Sequence, residues 1–275
     1  MNTIKRLIAT VLCVFLMSGT VLAEDGLKIT FLNVGQGDCA LLQCDGEAML
    51  IDTGIAGAWQ HIRDVLDKEK VEELKYLVIT HPHADHIGAA PDVIDTLSVS
   101  EMLLPPIDSA TIAYDKMITV AQEKGITLVY PDLGDVHTLG GATITVYGPH
   151  PVAYSNANNW SVVLMVQYGE HSALFTGDAE FAAEMDMRAN NNALPLKADV
   201  LKVAHHGSET SSNYDFLAEV RPDIAVVSCG ETDKYPSTDV AMTLMDVGVT
   251  KLMTTKAHGD IEVVFSDEVE IKTEY

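Results

Sequence analysis

His81-Pro82-His83-Ala84-Asp85-His86 is the stretch that decides the fold of this chain, and it follows the apolar run Tyr76-Leu77-Val78-Ile79-Thr80. Three imidazoles and one carboxylate within six residues are a density of metal ligands that a packed core does not require. On an extended or turning backbone, the first two histidines can point to one place and the Asp-His pair to a neighbouring place. Nitrogen and oxygen ligands of this kind suit Zn²⁺, Mn²⁺ or Fe. The stretch therefore predicts a metal site with ligands for two adjacent ions.

The remaining ligands must come from other segments, and two strand-like runs are the candidates. They are Leu174-Phe175-Thr176-Gly177-Asp178 and Leu201-Lys202-Val203-Ala204-His205-His206-Gly207-Ser208. Both are apolar runs that end in a ligand-type residue beside a glycine. Two further motifs stand near the start of the chain, Phe31-Leu32-Asn33-Val34-Gly35-Gln36-Gly37-Asp38 and Leu50-Ile51-Asp52-Thr53-Gly54.

The HxHxDH pattern after a strand, with these four motifs in order, resembles the metallo-β-lactamase superfamily. Within it, the chain resembles the branch typified by the extracellular hydrolase domain of the competence protein ComEC, over about residues 27–265. The resemblance implies an α+β fold, the αββα four-layer sandwich. In this fold two mixed β-sheets pack face to face, helices cover the outer faces, and metals lie at one edge where loops after the strands converge.

The order of predicted elements agrees with this architecture. Residues 27–51 read as short strands separated by Gly and Asp turns, as in a β-meander, and the last third alternates strands and helices. A meander followed by alternating elements favours mixed sheets with helices on the outer faces. The sequence contains no Pro/Ser-rich linker or repeat, and we therefore expect residues 24–275 to form a single domain.

The resemblance also implies a set of ligands for two divalent metal ions, Zn²⁺ or Mn²⁺. One ion would bind His81 and His83, and the other would bind Asp85, His86 and one of His205 or His206. Asp178 would bridge them, because a carboxylate has two oxygens and can span two ions roughly 3.5–4 Å apart. Asp85 and Asp178 are thus the predicted catalytic carboxylates. The alternative role for Asp178 is the N-cap of the helix that follows.

Three further questions concern the surroundings of the ligands. Asp52 is expected to orient a ligand histidine by accepting its N–H, although a turn-forming aspartate is the alternative. Adjacent side chains of a strand point in opposite directions, and only one of His205 and His206 should therefore reach a metal unless the strand has ended. Ser208, beside this pair, is predicted to line the substrate pocket.

The expected third histidine of the first metal is not obvious. Many superfamily members supply it from the middle of the chain, where this sequence offers His150 or the Asn158-Asn159-Trp160-Ser161 segment. The competence-protein branch resembles the second choice, and Asn158 and Asn159 are therefore predicted to line the substrate pocket. A second departure is Lys234-Tyr235-Pro236-Ser237, where that branch often carries a histidine before the proline.

The N-terminus predicts export. Lys5 and Arg6 precede an apolar run over residues 7–17, and Val21-Leu22-Ala23 supplies small residues for cleavage, which is the pattern of a secretory signal over residues 1–23. No other stretch is long and apolar enough to cross a bilayer. We expect a secreted, extracellular protein with no membrane span after cleavage of the signal.

Charge restricts the substrates. The formal net charge of the 275 residues is −23, and the sequence has no run of basic residues. Because phosphate and nucleic acid binding usually relies on clustered Lys and Arg, no strong electrostatic attraction to nucleic acid is expected. The charge weighs against a dedicated nuclease and favours small substrates.

These observations predict a hydrolase that uses a metal-bridged hydroxide. A phosphodiesterase or nuclease-type activity is favoured, because the branch's motifs resemble those domains, and the substrate would be a small-molecule or polymeric phosphodiester. The first alternative is a lactone or β-lactam hydrolase with the same metals. The second is a non-catalytic extracellular module that binds metal or a partner, which the weakened first site and the missing late histidine would favour.

Overall fold

A computed structural model describes residues 26–231 and 234–275 of the chain. The predicted secretory signal, residues 1–23, lies outside this part. Within it, no helix has both the length and the apolar character needed to span a membrane. The described residues form fifteen strands and eight α-helices.

The strands fall into two mixed sheets. In chain order their bounds are β1 (Leu27–Phe31), β2 (Ala40–Cys44), β3 (Glu47–Ile51), β4 (Glu73–Val78), β5 (Ser98–Leu103), β6 (Thr127–Val129), β7 (Val136–Leu139), β8 (Ala142–Gly148), β9 (Val163–Tyr168), β10 (His171–Phe175), β11 (Val200–Lys202), β12 (Ile224–Val227), β13 (Lys251–Thr254), β14 (Ile261–Phe265) and β15 (Val269–Thr273). The first sheet has the order β15-β14-β1-β2-β3-β4-β5-β6, and the second has the order β13-β12-β11-β10-β9-β8-β7.

The α-helices follow the strands that they cover. Their bounds are α1 (Trp59–Lys68), α2 (Ala84–Ile87), α3 (Ala90–Thr96), α4 (Ile112–Glu123), α5 (Phe181–Ala189), α6 (Tyr214–Val220), α7 (Thr238–Asp246) and α8 (Thr255–His258). Three short 3₁₀ segments lie at Ala56–Ala58, Ala157–Trp160 and Ala204–Gly207.

Three apolar clusters define four layers. The central cluster joins the facing sides of the two sheets, where the rings of Phe31 and Phe175 stack with centroids 5.7 Å apart. A second cluster packs α1, α3 and α4 on the outer face of the first sheet, and a third packs α5, α6 and α7 on the outer face of the second. Strands such as β4, buried on both faces, therefore carry nearly continuous apolar residues. The predicted αββα four-layer fold is confirmed.

The loops that matter for function lie at one edge. Strands β3 and β4 are parallel neighbours in the first sheet, and β10 and β11 are parallel neighbours in the second. The residues that follow all four strands therefore emerge at carboxyl ends, where side chains from distant parts of the chain can meet.

Candidate metal centre

The first group of candidate ligands is His81, His83 and Asp178. One possible ligand atom from each lies within 4.8 Å of the others. His81 Nε2 is 3.0 Å from His83 Nδ1 and 3.6 Å from Asp178 Oδ2. Burial, together with the nearby His86 ring, holds the pKa of His81 well below its usual value. The His81 ring is therefore neutral, which is the form that binds a metal.

The second group is Asp85, His86 and His206, whose possible ligand atoms also lie within 4.8 Å of one another. His206 Nε2 is 3.4 Å from Asp85 Oδ2. Asp178 Oδ2 is 3.3 Å from His86 Nε2 and 3.7 Å from His206 Nε2. Asp178 thus lies against both groups, which is the place that a bridging carboxylate would occupy.

Several atoms in this cluster have no hydrogen-bond partner although they are buried. They are His86 Nε2, His206 Nε2 and Asp178 Oδ1. Buried polar atoms are almost always paired, and these three find no partner among the described residues, which calls for an explanation. Divalent ions accept nitrogen and carboxylate ligands together, as zinc and manganese do. The residues present therefore fit a site for metal ions between the two groups.

The charges of the cluster support this interpretation. Burial opposes ionisation of Asp178, but the adjacent His86 and His206 rings hold the pKa of this carboxyl well below its usual range. Burial likewise opposes protonation of His206, and the carboxylates of Asp178 and Asp38 raise the pKa of His206 to about 9. In the metal-free protein, protonated rings thus neutralise carboxylates, a role that cations can take over.

Asp52 lies where the sequence predicts, behind a candidate ligand. Its Oδ2 is 2.7 Å from His86 Nδ1 and accepts a hydrogen bond from Thr80 Oγ1 at 2.6 Å. Asp52 Oδ1 accepts from the Thr80 backbone N–H at 2.8 Å. With both oxygens bound, the carboxylate fixes the His86 ring so that Nε2 faces Asp178, as carboxylates behind metal-binding histidines do.

His205 and His206 follow a strand that has already ended. Strand β11 stops at Lys202, and the two histidines have φ values of 50° and 56°, a left-handed conformation uncommon for residues other than glycine. Gly207 continues the turn with φ 81°, and a Cβ there would lie 2.6 Å from Pro236 Cβ. Glycine at position 207 is therefore required by a tight turn in which a larger residue would not fit.

This turn separates the roles of the two rings. His206 is almost fully buried, and its Nδ1 lies 2.9 Å from the Ser228 carbonyl oxygen, which leaves Nε2 free for the second group. His205 is partly exposed, with Nε2 3.8 Å from Asp178 Oδ2 and Nδ1 3.0 Å from Thr210 Oγ1. Geometry thus favours His206 as the ligand and leaves His205 beside the site.

The asparagine segment packs against the start of helix α5. Asn159 Oδ1 accepts from the backbone N–H groups of Glu180 and Ala183 at 3.0 and 3.2 Å, and it satisfies donors that the helix start leaves unpaired. Asn158 Nδ2 donates to Glu180 Oε1 at 3.0 Å, while Asn158 Oδ1 is buried without a partner. Because α5 begins at Phe181 and Asn159 bonds its first turn, Asp178 is not needed as a cap.

The other two predicted positions lie close to neighbouring polar groups. His150 is buried, and its Nδ1 lies 3.1 Å from Asn190 Nδ2. Among the described His, Cys, Asp and Glu residues, His150 joins none of the clusters that could hold a metal. Ser208 is buried beside the histidine turn, with Oγ 3.2 Å from Thr210 Oγ1.

Asp38 and Lys202 also lie in the cluster, although sequence reasoning assigned them no role. Asp38 forms a third possible metal-binding set with His86 and Asp178, and its carboxylate is paired with the Lys202 ammonium. Burial raises the pKa of Asp38, but the charges of Lys202, His206 and His86 together outweigh burial and lower the pKa of this carboxyl below its usual value. The available signals were an aspartate after Gly-Gln-Gly and a lysine inside an apolar strand.

Comparison with known proteins agrees with the fold. The profile of the Metallo-beta-lactamase superfamily matches residues 32–231. The chain is 28% identical to ComE operon protein 3 of Bacillus subtilis, a match that covers 90% of this chain and 34% of that protein. It is 29% identical to Recombination protein 2 of Haemophilus influenzae, and this match covers 95% of this chain and 32% of that protein. The chain thus spans about a third of the length of these relatives.

A solved structure shows the same fold. The metallo-beta-lactamase fold protein YhfI from Bacillus subtilis superposes with a TM-score of 0.57 and 15% identity, over 86% of this chain and 99% of that one. The family match covers well over half of the chain, and the relatives agree with the predicted competence-protein branch. The chain therefore belongs to the metallo-beta-lactamase superfamily.

Proposed function

We propose that the protein is a binuclear metal-dependent hydrolase that cleaves phosphodiester bonds outside the cell. The observation that carries the proposal is the position of Asp178, whose Oδ2 lies within 3.7 Å of ring nitrogens from both groups. One carboxylate shared by two sets of nitrogen and oxygen ligands suits a pair of ions close together.

The ions would polarise the phosphoryl oxygen of the substrate and lower the pKa of a water held between them. His81, His83 and Asp178 would hold one ion, and Asp85, His86, His206 and Asp178 would hold the other. Asp52 keeps the His86 ring in place, and the Ser228 carbonyl keeps the His206 ring in place. His205 and Ser208 lie beside the ligands, where they would contact the substrate.

The relatives favour a phosphodiester over other substrates. Recombination protein 2 is named for a process of DNA, whose backbone is a phosphodiester. The net charge of −23 opposes long-range attraction of a polyanion, and we therefore propose small phosphodiesters or short polymeric ones as substrates. The predicted secretory signal supports the extracellular location.

The test is hydrolysis of bis-p-nitrophenyl phosphate by the protein reconstituted with Zn²⁺ or Mn²⁺. We expect Asp178→Asn to lower turnover by more than about 100-fold, beyond the usual effect of changing a group behind a ligand. Asp246→Asn, the same change at an exposed position in α7, is the matched control and should retain full activity. An active Asp178→Asn protein would contradict the proposed mechanism.

The same ions could also serve hydrolysis of a carbonyl substrate such as a lactone or β-lactam. The first group offers only two imidazoles and one carboxylate, which keeps a non-catalytic module as the other alternative. Lactone or β-lactam turnover faster than diester turnover would assign the site to carbonyl substrates. Fewer than two bound ions, with no activity after adding Zn²⁺ or Mn²⁺, would instead indicate a module that binds metal or a partner without catalysis.

A further inference from the structure

Lys202 and Asp38 form a buried ion pair directly behind the second group. Their side chains are 4% and 7% exposed, and Lys202 Nζ donates to Asp38 Oδ2. The two residues are 164 positions apart in sequence, and the pair therefore joins the end of β11 to the loop between β1 and β2. Such a pair needs a reason, because desolvation of two buried charges often cancels their attraction.

The pair lies against the Nδ1 side of both imidazoles of the second group, opposite the Nε2 atoms that face Asp178. Asp38 Oδ1 is 3.3 Å from His206 Nδ1, and Asp38 Oδ2 is 3.9 Å from His86 Nδ1. Lys202 Nζ is 3.5 Å from the carbonyl oxygen of Gly177, the residue before Asp178. One ion pair thus contacts both imidazoles of the second group and the backbone that carries the shared carboxylate.

The unpaired oxygen of Asp38 argues against a purely structural role. Asp38 Oδ1 is buried and has no hydrogen-bond partner in the part of the chain that the structure describes, because His206 Nδ1 is directed to the Ser228 carbonyl. A buried acceptor left unpaired costs stability that a neutral pair of similar size would not cost. Its negative charge, however, lies against two rings whose Nε2 atoms face Asp178. A carboxylate in this place would make the rings better metal ligands.

We propose that the Asp38–Lys202 pair positions His86 and His206 and thereby sets the affinity of the second group for its metal ion. The inference rests on the proposed metal centre, but not on the identity of the substrate. Asp38 places a carboxylate against the Nδ1 side of both rings, and Lys202 donates to that carboxylate and lies 3.5 Å from the Gly177 carbonyl oxygen. Neither residue contacts the reacting atoms in this role, and both are positioning residues.

The experiment compares two double variants that each remove one buried or half-buried ion pair. Asp38→Asn/Lys202→Met removes the pair behind the second group. Lys28→Met/Glu69→Gln removes a pair that joins β1 to the end of α1, with side chains 17% and 16% exposed. For each protein, bound Zn²⁺ per chain is measured by elemental analysis, and both dissociation constants are measured by competition with a chelator.

We expect the Asp38→Asn/Lys202→Met protein to keep its first ion with unchanged affinity and to bind the second about 10–100-fold more weakly. The Lys28→Met/Glu69→Gln protein should bind both ions as the parent does. If the pair were only structural, removing both charges together would leave no buried charge without a partner, and the double variant would bind both ions with the affinities of the parent. Parental binding of the second ion by the folded Asp38→Asn/Lys202→Met protein would therefore overturn the proposal.

The single variant Asp38→Asn provides a second test if the double variant does not fold, since it preserves the volume of the side chain. It should also weaken only the second ion, and parental affinity would overturn the proposal. A parent that binds one ion only would overturn it as well. These titrations need no substrate: a parent that holds two ions without cleaving diesters contradicts the proposed hydrolysis but leaves the role of the pair standing.

Discussion

The two groups of candidate ligands differ in how firmly their rings are held. In the second group, His86 Nδ1 lies 2.7 Å from Asp52, and His206 Nδ1 lies 2.9 Å from the Ser228 carbonyl. In the first group, His83 is exposed. Its Nδ1 lies 3.0 Å from Nε2 of His81, which is itself a candidate ligand. A ligand that is already oriented loses less conformational entropy on binding. We therefore expect the second group to bind its ion more tightly than the first.

The largest effect should come from the histidine pair. His206→Ala removes a ligand of the second group, and we expect loss of one bound ion and a fall in diester turnover of more than about 100-fold. His205→Ala, the adjacent and matched change, should retain both ions. Metal content and turnover of the two purified variants check this. Loss of an ion in His205→Ala but not in His206→Ala would reverse the assignment.

A change behind the ligand should have a smaller effect. Asp52→Asn leaves the size of the side chain unchanged but removes the charge that orients His86, and we expect the second ion to bind about 10–100-fold more weakly. The first ion should bind as before. Asp260→Asn is the control, since Asp260 Oδ1 lies 2.9 Å from His61 Nε2 in a pair of the same kind outside the metal clusters. Equal weakening of both ions would contradict the difference between the groups.

The smallest effect is a difference in pH dependence. In the metal-free protein the pKa of His206 is about 9, whereas the pKa of His81 lies well below its usual value. At pH 7.5 a metal must displace a proton from His206 but none from His81. The affinity of the second ion should therefore rise with pH between pH 7 and 9, by up to about tenfold per pH unit from the His206 proton, and that of the first should rise less.

Calorimetric titration with Zn²⁺ in buffers of different ionisation enthalpy measures the released protons directly. Two ions that release the same number of protons at pH 7.5 would show that the groups do not differ in charge. The part of the difference that comes from His206 should shrink above pH 9, where this ring is mostly neutral before any metal binds.

Much of the candidate site could be predicted because most of its candidate ligands lie in short sequence motifs. Six consecutive residues carry His81, His83, Asp85 and His86, and Asp178 follows an apolar strand beside a glycine. These motifs carry the resemblance to the metallo-β-lactamase superfamily, and the resemblance implied the fold that the structure confirms. Asp52, directly after β3, was predicted from its motif to orient a ligand histidine, with a turn-forming aspartate as the alternative, and only the fold places it 2.7 Å from His86 Nδ1.

Other features depend on contacts between distant parts of the chain. The choice between His205 and His206 needed the end of β11 and a left-handed turn, since alternation along a strand does not apply there. Asn159 was assigned to the substrate pocket from its place in a motif, but only folding shows its bonds to the start of α5. Such hydrogen bonds have no signature in a single sequence.

The sequence by itself therefore determined the mixed sheets with helices on the outer faces and, through the motifs that carry the family resemblance, the αββα class and most of the candidate metal ligands, because apolar runs and clustered imidazoles are local features of the chain. Tertiary structure alone decided how those ligands are held. Asp38 and Lys202 are 164 positions apart and meet only when the two sheets pack, with Lys202 at the end of β11 and Asp38 before β2. The free energy that orients a ring comes from such contacts across the core, and no local pattern encodes it.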